Sequence, residues 1–342
     1  MKISIITTIY KAEKDLPRLL DSMMALQSQD LEFFLIDNGS PDRCGEICTE
    51  YAARDKRFYV RSLKDNIGYI KARMLGIQEC HGDYVGFCDS DDYLEPHGYD
   101  HVVEQIAEKK CDLYIGAHNF HFGEDVYLIP PPFQQGEYAD ELIHEIILPQ
   151  AFGYLKGRER LHGFMWKHVY KRKIIQDFGI NLIEDLKPWE DQIFNIDVLQ
   201  HCQKVVVDHQ VIYNYFANSG SVTSSMIKNF DAEDFWHKTR LLYVNKRERT
   251  TTDLERLACA NATMVNLDLM VVCLCKKTTL PSSSVSKTIR SLLNKDNVAD
   301  QILTGASRED LSDRLRFVNY CLRFRLYRFL VWVVRYKLRK GK

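Results

Sequence analysis

Three carboxylates stand within four residues in Cys88-Asp89-Ser90-Asp91-Asp92. They follow the apolar run 83–88 and precede Tyr93-Leu94-Glu95-Pro96, a turn signal. A buried strand delivers Asp89, Asp91 and Asp92 to its carboxyl end, the edge where open α/β sheets bind ligands. Carboxylates crowded there repel one another and keep their charge only when a cation joins them. The economical reading is a divalent metal holding a phosphorylated substrate. The plainer alternative is a capping cluster for the helix after Pro96.

Two other strand ends carry chemistry. The first loop has Thr7-Thr8-Ile9-Tyr10 and the second Asp37-Asn38-Gly39-Ser40. Asp37 suits the imide N–H of a uracil and Tyr10 a base face, although an aspartate there also serves as a turn former. In Asn66-Ile67-Gly68-Tyr69-Ile70-Lys71-Ala72-Arg73, Gly68 permits a turn and the two cations open a helix, facing either a diphosphate or solvent. No GxGxxG follows the first strand and no P-loop occurs, which argues against a dehydrogenase and a P-loop NTPase. A haloacid-dehalogenase-type phosphatase needs its Asp-x-Asp at the first strand, and here the motif ends the fourth.

The elements that position these residues alternate. Strands are predicted over 2–9, 32–36, 58–62 and 84–88. Helices are predicted from Asp15-Leu16-Pro17 onward, over 47–54 and over 70–80. This pattern belongs to an α/β, mostly parallel sheet flanked by helices. A helix over about 97–109 and a strand over 111–116 follow. The stretch 117–165, with Pro130-Pro131-Pro132, is expected to be an irregular substrate-binding excursion. A helix over 189–200 and a strand over 205–207 come next. From 231 the pattern is helical: about 231–247, 253–276, 283–294 and 309–339.

Composition sets the class. The 342 residues are 45% hydrophobic and 27% charged, an ordinary globular balance. The N-terminus lacks the features of a signal peptide, and no run of about 18 apolar residues suggests a spanning helix. The ten cysteines form no CxxC pair, so buried free thiols in a reducing compartment are expected rather than structural zinc. Net charge is −1, but residues 308–342 hold eleven Lys/Arg against Glu309, Asp310 and Asp313, a net of +8 that leaves −9 for the rest.

In this order and spacing, Thr-Thr-x-Tyr, Asp-Asn-Gly-Ser, Asn-x-Gly-x-x-x-Ala-Arg and Asp-Ser-Asp-Asp resemble the family 2 inverting glycosyltransferases of bacterial glycan biosynthesis, which have a GT-A fold. Trp189-Glu190-Asp191-Gln192 is similar to the family's Glu-Asp motif, and Tyr213-Asn214-Tyr215 with Ser219-Gly220-Ser221 to its closing segment. The resemblance covers about residues 1–225. It implies that Asp37 contacts uracil, that Asp89 faces the ribose, and that Asp91 with Asp89 holds Mn2+ or Mg2+ against the diphosphate of a UDP-sugar. Thr8, Tyr10, Asn66, Lys71, Arg73, Ser90 and Ser221 complete the donor side. Asp191 becomes the base that deprotonates an acceptor hydroxyl, beside Glu190, which orients the acceptor. Asp92, Trp166, Lys167 and Trp189 are candidates for the acceptor side. Two positions depart from the family pattern: Asn38 stands where an Asp is frequent, and Met74 where an Asn is.

The expected organisation is a catalytic domain over 1–230 and a helical region over 231–342. The first divides into a nucleotide-sugar half, 1–116, and an acceptor half, 117–230. The last helix, over 309–340, is basic and rich in Trp, Phe and Leu, which suits an anionic membrane surface or docking on the body or a second protomer. The expectation is a cytoplasmic enzyme at the inner face of the cell membrane. It would act on a lipid-linked or oligosaccharide acceptor, as a possible homodimer, with no nucleic-acid partner. Rival readings are a sugar-nucleotide pyrophosphorylase, whose Gly-rich basic loop after strand one is absent, and an inactive sugar-binding module.

Overall fold

The computed structural model describes residues 1–217, 229–276, 280–294, 297–306 and 309–340. Strands β1 (Ile3–Ile9), β2 (Leu31–Asp37), β3 (Phe58–Ser62) and β4 (Tyr84–Phe87) alternate with helices α1 (Leu16–Ala25), α2 (Cys44–Arg54) and α3 (Tyr69–Glu79). These strands pair in parallel in the order β3-β2-β1-β4. Every residue of β2 and β4, and all of β1 except Thr8, is buried. Strands covered on both faces need continuous apolar runs, which is why they were legible as 32–36 and 84–88. Helix α1 turns Leu16, Leu19, Leu20 and Met23 inward. The chain steps outward from β1 to β3 and then returns to β4 on the other side of β1. That reversal opens a crevice at the carboxyl ends of β1 and β4.

Beyond β4 the sheet becomes mixed. The further elements are β5 (Tyr93–Leu94), α4 (Gly98–Lys109), β6 (Leu113–Phe122), β7 (Asp125–Ile129), β8 (Gly136–Ala139), α5 (Leu148–Phe152), β9 (His168–Lys171), α6 (Arg172–Asp177), α7 (Glu190–Leu199) and β10 (Lys204–Phe216). The described residues build one ten-stranded sheet in the order β3-β2-β1-β4-β9-β6-β10-β5, with β7 on β6 and β8 on β10. Strand β9 is antiparallel to both β4 and β6. The parallel arrangement therefore holds for the first four strands and again for the β6–β10 pair, with antiparallel strands between and beside them.

The stretch 117–165 is not the irregular excursion expected. Strand β6 runs on to Phe122 and turns through Gly123, at φ 63°, into β7. Its polar residues conceal the strand in the sequence because they are satisfied sideways. Asn119 Nδ2 donates to Asn214 Oδ1 at 3.0 Å, and His121 Nε2 lies 2.9 Å from the same oxygen. Strand β10 is likewise longer than 205–207, continuing through register shifts between Val207 and Tyr213. All five residues of β7 are exposed, among them Val126, Tyr127, Leu128 and Ile129.

The chain forms two compact units. One comprises Met1–Ile147, Gly163–Glu184 and Phe194–Asn218; the other comprises Leu148–His162, Asp185–Ile193 and Ser219–Lys342. In the second unit lie α8 (Ala232–Arg249), α9 (Asp253–Lys276), α10 (Ser282–Leu293), α11 (Val298–Gly305), α12 (Asp313–Arg323) and α13 (Tyr327–Arg339). Helix α9 has the length and apolar composition of a bilayer-crossing segment, which corrects the expectation that none exists. It is nonetheless a core helix: 67% of its apolar window is buried, with Met264, Leu267, Met270 and Val271 among the packed residues. The single helix expected over 309–339 is two helices. Arg325 adopts a left-handed φ of 58°, and the Leu326 N–H donates to Cys321 O at 2.7 Å. A non-glycine residue at that joint carries no sequence signal. All ten cysteines are buried free thiols. Burial pushes Cys44 up to about 11 and Cys48 up to about 12, which makes them inert.

Gly39 has φ 68°, and a Cβ there would lie 2.6 Å from the carbonyl carbon of Asp65. Gly39→Ala is expected to destabilise the protein by about 1–3 kcal/mol, seen as a lower thermal midpoint.

Candidate active site

The ends of β1, β2 and β4 gather the sequence-predicted residues of the first unit. Asp37 closes β2, is 7% exposed, and its Oδ1 accepts the Ser40 N–H at 3.0 Å. A Cβ at residue 45 would lie 2.8 Å from Asp37 Oδ2, so the glycine there leaves that oxygen room. Asn38 ties the loop after β2 to the loop after β3. Its Oδ1 accepts the Ile67 N–H at 3.0 Å and its Nδ2 donates to Asn66 Oδ1 at 3.3 Å. Asn66 Oδ1 also accepts the Gly68 N–H at 2.8 Å. An amide at 38 supplies both a donor and an acceptor to this link, whereas a carboxylate supplies acceptors alone. Thr8 is half-buried at the end of β1, and Tyr10 lies beyond it with 42% of its surface exposed.

The two cations of α3 diverge. Arg73 is buried, and its Nη2 donates to Asp89 Oδ1 at 2.6 Å. Lys71 is exposed and pairs with Glu184 at 3.2 Å.

The acidic trio divides in three. The Asp89 N–H donates to the Tyr213 hydroxyl at 3.1 Å, and that hydroxyl donates to Asp92 Oδ2 at 2.7 Å. Asp92 Oδ1 accepts the Phe216 N–H at 2.8 Å. Asp92 is thus turned inward, 1% exposed, as a staple between the loop and β10. Burial, and then the charge of Asp89, pushes its carboxyl up to about 8. Asp89, Ser90 and Asp91 stay half-buried. Arg18, which carried no sequence signal, donates from Nη2 to the Asp91 carbonyl at 2.6 Å and lies 4.2 Å over the Phe216 ring.

Among the described residues no group of three or more His, Cys, Asp or Glu is placed to hold a metal ion. One oxygen of Asp89 is already engaged by Arg73. The donor set that remains is hard carboxylate oxygen from Asp91 and Asp89. It fits Mg2+ or Mn2+ when a substrate's phosphates complete the shell, and does not form a cage by itself.

Trp166 and Lys167 are each 4% exposed. The Trp166 ring stacks on Tyr213 at 4.5 Å, Phe164 at 5.0 Å and Tyr215 at 5.5 Å, so it props Tyr213 from behind. Phe164, which the sequence did not single out, is the exposed member of that stack at 44%. Ser221 lies outside the described residues.

Trp189, Glu190 and Asp191 belong to the second unit. Glu190 and Asp191 open α7, where negative charge suits the helix N-terminus. Glu190 is 3% exposed and Asp191 is half-buried. Trp189 packs edge-on to Phe235 with ring centres 5.4 Å apart.

The profile of Glycosyl transferase family 2 matches residues 4–174. The uncharacterized glycosyltransferase EpsJ of Bacillus subtilis is 28% identical over 223 residues, 65% of this chain, and the chain spans only 62% of its length. The crystal structure of TarS 1–349 from S. aureus, in complex with UDP-GlcNAc, superposes with a TM-score of 0.70 at 20% identity, covering 100% of this chain and 93% of that one. The mannosyltransferase PcManGT from Pyrobaculum calidifontis, in complex with GDP-Man and Mn2+, gives a TM-score of 0.53 at 12% identity over 98% of this chain and 86% of that one.

Asp92 supplies a pH signature. The ordinary aspartate value is 3.8, and burial beside Asp89 pushes Asp92 in the folded protein up to about 8. Between those values the folded state keeps a proton that the unfolded state has lost, so stability falls as pH rises through the window. Asp92→Asn is expected to flatten that slope in thermal melts recorded from pH 4 to 9.

Proposed function

The chain belongs to glycosyltransferase family 2, and from that premise we propose that it transfers a hexose or N-acetylhexosamine from a UDP-sugar, with inversion, to a hydroxyl of a lipid-linked or glycan acceptor in cell-surface polysaccharide assembly (capsule, lipopolysaccharide or similar). Its GT-A α/β fold with a C-terminal helical region is that of TarS. The observation that carries the reading is that Asp37, at the carboxyl end of β2, and Asp89 and Asp91, just past β4, stand on the same edge of the parallel strands β2-β1-β4, with Arg73 paired to Asp89.

The chemistry follows from these residues. Asp37 accepts from the uracil imide, and the exposed Tyr10 ring covers the base. Asp89, its carboxylate fixed by Arg73, faces the ribose. Asp91, with the free oxygen of Asp89, would hold Mn2+ or Mg2+, which supplies neutralisation of the diphosphate charge. Thr8, Asn66, Ser90, Lys71 and Ser221 are assigned to the donor side on the motif resemblance alone. Asp191 takes the proton of the acceptor hydroxyl while its oxygen bonds to the anomeric carbon and the bond to the β-phosphate oxygen breaks. UDP leaves with the electron pair, and Arg73 offsets the developing charge. Glu190 orients the acceptor, with Trp189 on that side. Trp166 and Lys167, each 4% exposed, are not assigned to it, because the Trp166 ring is packed behind Tyr213. Asp92 is reserved for the staple to β10, since both its oxygens are occupied.

Cytoplasmic work at the inner membrane face is part of the same reading. Phe329, Trp332 and Tyr336 stand on one side of α13, are 49%, 61% and 49% exposed, and stack in sequence. Arg328, Lys337, Arg339 and Lys340 accompany them. Aromatic side chains bordered by cations suit an anionic lipid interface. The same surface would serve a homodimer.

Three outcomes are expected. Asp191→Asn lowers turnover by roughly 10²–10⁴-fold with UDP binding intact, measured against a panel of UDP-sugars with and without Mn2+. Asp91→Asn abolishes the gain in UDP affinity that Mn2+ confers, measured by calorimetry. Removing 309–342 would also strip Leu322, Leu330 and Val331 from a packed core, so the membrane test substitutes the exposed rings instead. Phe329→Ser with Trp332→Ser is expected to abolish flotation with anionic vesicles while leaving donor hydrolysis unchanged.

A further inference from the structure

Lys246, near the end of α8, is 2% exposed, and neither of its hydrogen-bond partners is a carboxylate. Its Nζ donates to the Phe152 carbonyl at 2.9 Å and to Gln192 Oε1 at 2.8 Å. Arg160 Nη2 donates to that same amide oxygen. Two cations therefore converge on one neutral side chain, and Gln192 immediately follows Glu190-Asp191 in the first turn of α7. Phe152, Arg160, Gln192 and Lys246 all belong to the second unit.

Such an arrangement is expensive. Removing an ammonium from water without an ionic partner is unfavourable by several kcal/mol. Burial, then the charge of Arg160, pushes Lys246 down to about 7. A methionine of similar length would fill the space without that penalty. The two hydrogen bonds do something methionine cannot: they fix the rotation of the Gln192 side chain and so the azimuth of the turn beneath it. Hydrogen bonds from ionised donors are the strong and directional kind.

We propose that Lys246, with Arg160, is a positioning residue that clamps Gln192 Oε1 and thereby aims the first turn of α7, which carries Glu190 and Asp191. The helical region beyond the residues matched by the family profile then contributes to the reaction's geometry, not only to docking. Its bearing on turnover rests on the glycosyl-transfer reading above. The competing role is a purely local cap on the last carbonyl of α5, which needs Lys246 and Phe152 O but not Gln192.

The test uses Lys246→Met, Gln192→Ala and the double variant in the full chain. Each single variant is expected to lower kcat roughly 10-fold to 100-fold, with donor KM within about twofold. The double variant should lose no more than the worse single one, because both remove the same contact. Amide exchange over residues 189–194 should quicken in both singles, with the thermal midpoint of Lys246→Met unchanged or raised. Full kcat in Gln192→Ala, additive losses, or unchanged exchange over 189–194 overturns the clamp. If the wild type transfers no sugar from any UDP-sugar, the function reading fails, and the exchange arm still decides the clamp.

Discussion

Three carboxylates in four residues cannot share one environment, and the hydroxyl of Tyr213 resolves the conflict. It accepts from the Asp89 backbone and donates to the Asp92 side chain, so one oxygen atom sets the separation between the two acids. With Asp92 drawn inside and its carboxyl pushed up, the local negative charge falls upon Asp89 and Asp91. Arg73 then holds Asp89 from the α3 side, and Arg18 holds the Asp91 backbone from the α1 side. Tyr213 itself is wholly buried against the Trp166 ring. The geometry of the acidic loop therefore depends on an aromatic stack that no ligand need touch.

Much of the strand and helix order over the first 110 residues was legible before any coordinates. Strands β1, β2 and β4 are covered on both faces, so their sequences are mostly apolar, with the buried Ser4 of β1 donating to the buried Glu32 of β2, and the residues that follow each run are delivered to the sheet edge. That logic found Asp37 and Asp89. It did not find Tyr213 as the partner of Asp92, because 121 residues separate them and a tyrosine in a strand resembles any other core aromatic. Arg18 was equally silent, since an arginine on an exposed helix face is ordinarily solvated. Lys246 carried no sequence signal either, standing among the charged residues of α8, and is among the most buried side chains of its unit.

Other departures come from polar residues whose partners lie on a neighbouring strand. Asn119 and His121 break the apolar rhythm of β6, yet Asn214 answers both, and it also donates to Glu95 Oε2 at 2.7 Å. Periodicity cannot see such a satisfied pair. The break between α12 and α13 was hidden for a different reason. Arg325 occupies a conformation that glycine or asparagine usually advertises, and the hydrophobic spacing continues across the joint as if the helix did not end.

The extension of β6 carries a consequence for colloidal behaviour. Among the described residues β7 pairs with β6 alone, and its five residues include four apolar ones, one acid and no proline. The outer row of backbone donors and acceptors on that strand is a template another chain can copy. Because recruitment along such an edge requires no unfolding, its use follows protein concentration more than heat.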